Sequence, residues 1–196
     1  MTQEALLIID YTNDFVSDKG SLTCGKPAQE LENEIVNLAD SFLKQNKWVI
    51  IPTDLHFPGN KYHPETKLFP PHNLPNTWGR QLYGKLQTWY DANKTNDHVI
   101  FMDKTRYSAF AGTNLDLILR ERKIDTLHLT GVCTDICVLH TAMDAYNRCY
   151  NLVIHQDGVA SFDENGHKWA LNHFKTCLGA DYTLIPKNKP SSLNLS

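Results

Sequence analysis

Short apolar, β-rich runs alternate with helical patterns along the chain, and that alternation narrows the fold more than any other feature. "ALLIID" (5–10), "WVIIPTD" (48–54), "HVIFMDK" (98–104), "TLHLTG" (126–131), "NLVIH" (151–155) and "DYTLI" (181–185) read as strands. Between them, Leu31, Ile35, Leu38 and Phe42 recur at helical intervals in 30–45, as one buried helix face requires. Helices are also expected over 115–122, 134–147 and 164–178. Strand–helix repetition of this kind predicts an α/β fold: a doubly wound, mainly parallel, six-stranded sheet with helices on both faces.

In such sheets ligands bind beyond the carboxyl ends of the strands, where the strand order reverses. Asp10, Asp54, Lys104 and the Cys133/Cys137 pair all stand at or just past strand ends. One sheet edge should therefore gather two carboxylates, an ammonium and a thiol.

At 196 residues the chain suits a single domain spanning 1–196, with an insertion around 55–85. That stretch is too long for an ordinary connection. Its Phe57, Tyr62, Phe69, Trp78 and Tyr83 argue against disorder. The polar tail 186–196 is expected to be loosely held. A net charge of −3 gives no reason to expect a nucleic-acid or membrane partner. No apolar run reaches bilayer length, and the first residues carry no secretory pattern. The five cysteines (24, 133, 137, 149, 177) are odd in number and scattered, which suits reduced thiols in the cytoplasm. Cys24, Cys149 and Cys177 read as structural.

If the helix after strand 126–131 begins near Thr134, Cys137 lies in its first turn, among free N–H groups and the positive end of the helix dipole. Those groups and Lys104 favour a thiolate and can hold an oxyanion. Asp10 can take the thiol proton and return it to a leaving amine. The plain alternative makes Cys137 a small buried hydrophobe and the charged residues caps. Cys133 is left open among redox partner, ligand, core residue and bystander. In 53–73, Asp54 and His56 point to one side of a strand end, and His72 follows the rigid Pro70–Pro71. Two imidazoles and a carboxylate suit Zn²⁺, Fe²⁺ or Mn²⁺, with Glu65 as a further ligand. The alternative is a metal-free, histidine-rich loop.

Together, "ALLIIDYTNDF", "TDLHFPGNKYHPETKLFPPHN", "MDKTRYSAFAGTNLDLILRER" and "TGVCTDICVLHTAMDAYN" resemble the bacterial nicotinamidases (pyrazinamidases) of the isochorismatase-like cysteine hydrolase superfamily. The match runs in order over roughly 5–185. The resemblance implies Asp10, Lys104 and Cys137 as catalytic triad and Asp54, His56, His72 and Glu65 as ligands of one divalent metal, zinc first, iron or manganese next. It implies Phe15, Phe69 and Tyr107 as the wall stacking on the pyridine ring. It implies a cis peptide at Val132–Cys133 that turns the Cys133 N–H toward the oxyanion beside that of Cys137, which leaves the Cys133 thiol incidental. The activity implied is hydrolysis of nicotinamide to nicotinate and ammonia through a cysteine thioester, in a homodimer or tetramer. Pyrazinamide or another small aromatic amide is the alternative substrate. Of other classes, the rivals are a flavodoxin-like thiol-redox domain cycling Cys133 and Cys137, and a non-catalytic metal-binding module.

Overall fold

The computed structural model describes residues 3–183. The expected last two residues of the sixth strand and the tail 186–196 lie outside the described residues. Six parallel strands, β1 (Gln3–Ile9), β2 (Trp48–Asp54), β3 (Val99–Lys104), β4 (Ile124–Val132), β5 (Asn151–Ala160) and β6 (Asp181–Thr183), form one sheet in the order β3-β2-β1-β4-β5-β6. The order reverses between β1 and β4, so the switch-point crevice opens beyond Ile9 and Val132.

The sheet is covered on both faces, as its continuous apolar strands require. From β1, Leu7 and Ile9 enter one core with Leu115 and Leu119 of α5 (Leu115–Glu121), Ala142 and Ala145 of α6 (Leu139–Asn147), and Ala170 and Phe174 of α7 (Glu164–Cys177). Leu6 and Ile8 enter the other with Ile35, Leu38 and Phe42 of α3 (Glu32–Lys44) and Leu86 and Trp89 of α4 (Gly84–Asn93). All four β1 side chains are fully buried, each stabilising the fold by about 1.5–3 kcal/mol relative to exposure. Two short helices, α1 (Asn13–Val16) and α2 (Lys26–Gln29), follow β1.

The strands expected at 5–10, 98–104, 126–131 and 151–155 are present with shifted ends. The largest extension is β5, which runs on to Ala160. The irregular stretch 55–85 holds two 3₁₀ turns, Pro64–Lys67 and Trp78–Arg80. The helix expected at 134–147 opens with a π-helical turn, Thr134–Val138, before α6. In that turn the N–H groups of Ile136 and Val138 both donate to the Cys133 carbonyl, each at 3.1 Å.

β1 and β4 meet closely at the switch point. Gly131 pairs with Ile9 at φ 107°, and a Cβ there would lie 2.0 Å from the Ile9 carbonyl oxygen. Only glycine fits that approach. The next peptide but one, Val132–Cys133, is cis.

Candidate active site

Three strand ends and the π-helical turn converge on one buried ammonium. Lys104, last residue of β3, places Nζ 2.7 Å from Asp10 Oδ2, 2.5 Å from Asp54 Oδ1 and 3.7 Å from Cys137 Sγ. It also donates to the Arg106 carbonyl at 3.0 Å. Asp54 pairs directly with Lys104 across β2 and β3. Asp10 turns off the end of β1 in the left-handed region, φ 55°, a conformation Asp tolerates better than most residues. Its Oδ1 accepts from the Asp54 N–H at 2.8 Å. Asp10, Asp54, Lys104 and Cys137 are all 5 % exposed or less, so these interactions act in a low dielectric.

The charges settle against one another. Burial opposes the Lys104 ammonium, but the Asp10 and Asp54 carboxylates hold its pKa well above the ordinary lysine range. Burial also opposes the Asp54 carboxylate, and Lys104 and His56 outweigh it, holding Asp54 low. Burial and the Asp54 charge push Asp10 up to about 7, against Lys104. Cys137 departs from the sequence expectation of a lowered thiol. Burial, helped by Asp10 and Asp54, pushes it well above its ordinary value despite Lys104. Burial is the largest influence on the sulfur, and Lys104, which favours its anion, is shared with two carboxylates.

Beside this cluster stand Asp54, His56, Glu65 and His72, all buried, with ligand-type atoms within 4.8 Å of one another. Glu65 Oε2 lies 3.8 Å from His56 Nε2 and 3.7 Å from His72 Nε2, and Asp54 Oδ2 lies 3.6 Å from His56 Nε2. Neither Nε2 has a hydrogen-bond partner among the described residues. Buried ring nitrogens are rarely orphaned, and these two aim at carboxylates beyond bonding distance. His72 Nδ1 donates to the Pro70 carbonyl at 2.8 Å, which fixes the tautomer with a free Nε2 lone pair. Burial and Asp54 raise the Glu65 carboxyl. The four residues fit a divalent cation. His63 does not join them: its Nε2 meets the Thr105 carbonyl at 2.6 Å and its Nδ1 accepts from the Glu65 N–H at 3.3 Å.

A cavity of ≈ 480 Å³ joins the two clusters. Phe15, Phe69 and Tyr107 line it with Cys137, Asp54, Glu65 and His72. Phe15 packs against the His72 ring at a centroid distance of 5.4 Å. A larger groove of ≈ 910 Å³, between α2–α3 and residues 156–167, contains none of these residues.

Several residues escaped the sequence reading. Leu22, Ile136 and Phe162 complete the cavity wall. Asp14, 7 % exposed, accepts from the Ser21 N–H at 3.1 Å and the Asn73 N–H at 2.7 Å, tying the cavity wall to the residue after His72. Arg80 donates to the Asp54 carbonyl at 2.7 Å and pairs with Asp103. A carboxylate at the second position of a four-residue helix and an arginine in a short 3₁₀ turn carry no distinguishing pattern. Of the cysteines read as structural, Cys24 is buried, whereas Cys149 and Cys177 are exposed. Both stand at helix ends, where their side chains meet solvent.

A thiol, a carboxylate and an ammonium at the switch point of this sheet define a hydrolase class that sequence comparison identifies directly. The isochorismatase domain family matches residues 4–183, and the chain belongs to it. The chain is 55% identical over 178 residues to the isochorismatase family protein PncA of Bacillus subtilis, covering 91% of this chain and 97% of that one. It superposes on the crystal structure of nicotinamidase/pyrazinamidase PncA from Bacillus subtilis with a TM-score of 0.92 and 53% identity, covering 93% and 100% of the two chains. The pyrazinamidase/nicotinamidase of Streptococcus mutans gives a TM-score of 0.90 and 49% identity, covering 92% and 100%. Among the described residues, no helix is long and apolar enough to cross a membrane.

Proposed function

We propose that this chain, working as one domain, is a nicotinamidase that converts nicotinamide to nicotinate and ammonia through a thioester on Cys137. The observation that carries the reading is the single ammonium of Lys104 in contact with Asp10, Asp54 and Cys137 at the wall of a cavity that also holds four metal-type ligands.

Phe15, Phe69 and Tyr107 hold the aromatic ring and exclude water, which sets the carboxamide carbon over Cys137. Asp10, with its carboxyl near 7, takes the thiol proton as the sulfur attacks. Proton transfer to a neighbouring base is needed here because the buried thiol does not ionise unaided. Lys104 stays paired with the Asp54 carboxylate and stabilises the sulfur's negative charge while the proton passes to Asp10. The backbone N–H groups of Cys133 and Cys137 receive the oxyanion; one such donor is typically worth on the order of 10²–10³ in rate. Asp10 returns the proton to the departing ammonia, takes another from the water that attacks the thioester, and passes it to the Cys137 sulfur as that sulfur leaves.

Asp54, His56, Glu65 and His72 would hold a divalent metal, for which zinc fits two imidazoles and two carboxylates, with iron or manganese next. Such an ion would supply Lewis acidity toward a ring nitrogen of the substrate. Pyrazinamide, differing by one ring nitrogen in place of CH, satisfies the same contacts as a second substrate.

The test is product analysis. Metal-replete protein given nicotinamide should release ammonia and nicotinate in equal amounts. Metal-replete protein that leaves nicotinamide intact would overturn the reading.

A further inference from the structure

Two sulfurs that hydrolysis leaves unused lie against each other, one on a cavity-lining residue and the other behind it. Cys24 Sγ and Cys133 Sγ are 3.0 Å apart, both buried, and 109 residues apart in sequence. A disulfide bond needs about 2.05 Å, so the two Cβ–Sγ arms have about 1 Å left to close. Cys137 is not the partner the four-residue spacing suggests, since its sulfur meets Lys104 at 3.7 Å. Cys24 closes the loop after α1, where its N–H donates to the Phe15 carbonyl at 2.8 Å. Cys133 follows β4 and lines the same ≈ 480 Å³ cavity as Cys137, as does Thr23. A small molecule that reaches Cys137 therefore also reaches Cys133, with the Cys24 sulfur 3.0 Å from the Cys133 sulfur.

We infer that Cys133, in the cavity wall, and Cys24, buried behind it, form a reversible dithiol–disulfide site oxidised by small disulfides that enter the cavity. The Cys133 thiol gives up its proton and its sulfur attacks one sulfur of R–S–S–R. The S–S bond breaks, RSH leaves, and Cys133–S–S–R remains. Cys24 then loses its proton and attacks the Cys133 sulfur, expelling a second RSH. Two protein thiols are oxidised and one small disulfide is reduced to two thiols. The neighbouring Cys24 sulfur and burial both push the Cys133 thiol well above its ordinary value. The exchange is therefore slow at neutral pH and quickens as pH rises. The bond joins the loop that supplies Gly20–Thr23 to the turn that precedes Cys137. That this constrains a substrate pocket rests on the proposed amide hydrolysis; the thiol chemistry does not.

The test uses the full chain carrying Cys137→Ser, Cys149→Ser and Cys177→Ser, which leaves Cys24 and Cys133 as its two thiols. Native protein is incubated with 2-hydroxyethyl disulfide and read by thiol titration, intact mass and peptide mapping. Both thiols should disappear, the mass should fall by two hydrogens with no retained adduct, and one peptide pair should link Cys24 to Cys133. Dithiothreitol should restore both thiols, and the oxidised form should unfold at a higher temperature. Adding Cys24→Ser should leave a stable mixed disulfide, Cys133–S–S–CH₂CH₂OH, on Cys133. Wild-type protein with its exposed thiols, Cys149 and Cys177, alkylated beforehand should give the same linked peptides. Two thiols still titratable in the native protein, or an adduct on Cys133 that Cys24 never displaces, would overturn the inference. No nicotinamide turnover enters the readout, so its failure and the failure of the hydrolase reading are separate results.

Discussion

The Nζ of Lys104 and Oδ2 of Asp10 are 2.7 Å apart with neither side chain exposed, and the same nitrogen holds Asp54. Lys104→Met removes the one cation between two buried carboxylates. The expected loss is about 3–5 kcal/mol of stability, the usual cost of stranding a buried charge, read by urea denaturation. Lys104→Met together with Asp10→Asn should recover part of that loss. A single variant as stable as the wild type would remove the electrostatic account of the cluster.

Asp14 should act on the metal group without touching it. Its two oxygens hold the Ser21 and Asn73 N–H groups, and Asn73 follows His72. Asp14→Ala frees that segment, so zinc affinity should fall by about 10–100-fold, the usual effect of losing a supporting contact behind the ligands. Asp14→Asn, which keeps one acceptor, should fall between. Competition with a chromophoric chelator gives the affinity without any turnover. Unchanged affinity in the alanine variant would show that His72 is held by other means.

His155 sets a pH dependence of stability. It is 4 % exposed, its Nε2 lies 2.9 Å from His128 Nδ1, and burial together with His128 pushes it down to about 4. The unfolded chain binds that proton near the ordinary value of about 6.5. Above that pH both states are neutral and stability is flat. As pH falls from about 6.5 toward 4, only the unfolded state takes up the proton, so stability drops by up to about 1.4 kcal/mol per pH unit. His155→Gln should flatten this part of a pH series of denaturation midpoints. A variant that tracks the wild type through this window would assign the slope to other groups.

Gly131→Ala tests the switch point. The added Cβ would meet the Ile9 carbonyl oxygen at 2.0 Å in a backbone at φ 107°. Strain of that kind costs on the order of 1–3 kcal/mol for the dihedral alone, and the clash with β1 adds to it. The measurement is the denaturant midpoint. A neutral substitution would mean that β1 and β4 separate more easily than their register indicates.

The strand ends were readable because an apolar run buried on both faces must stop where its side chains turn polar, as at Asp10, Asp54 and Lys104. Asp54 was readable as the end of a strand, and His56 as the residue two beyond it, although β2 stops at Asp54 and the chain past it is irregular. Helix α4 was not: only Leu86 and Trp89 are buried in it, two positions that do not make a periodic face, and it starts at a glycine with φ 51°. The Cys24–Cys133 contact joins positions 109 residues apart, and no local pattern marks it. The burial that pushes the Cys137 thiol up was not legible for a related reason. Proximity to Lys104 was foreseeable, but the sharing of Lys104 between two fully buried carboxylates is a property of packing.

The central claim is that the Cys137 sulfur attacks a carboxamide carbon. The most direct measurement is ammonia release from nicotinamide by wild-type and Cys137→Ser protein at equal metal content and equal folded fraction. The account predicts turnover by the wild type and a drop of about 10³-fold or more in the variant, as loss of a nucleophile typically gives. A serine variant within tenfold of the wild type would contradict it.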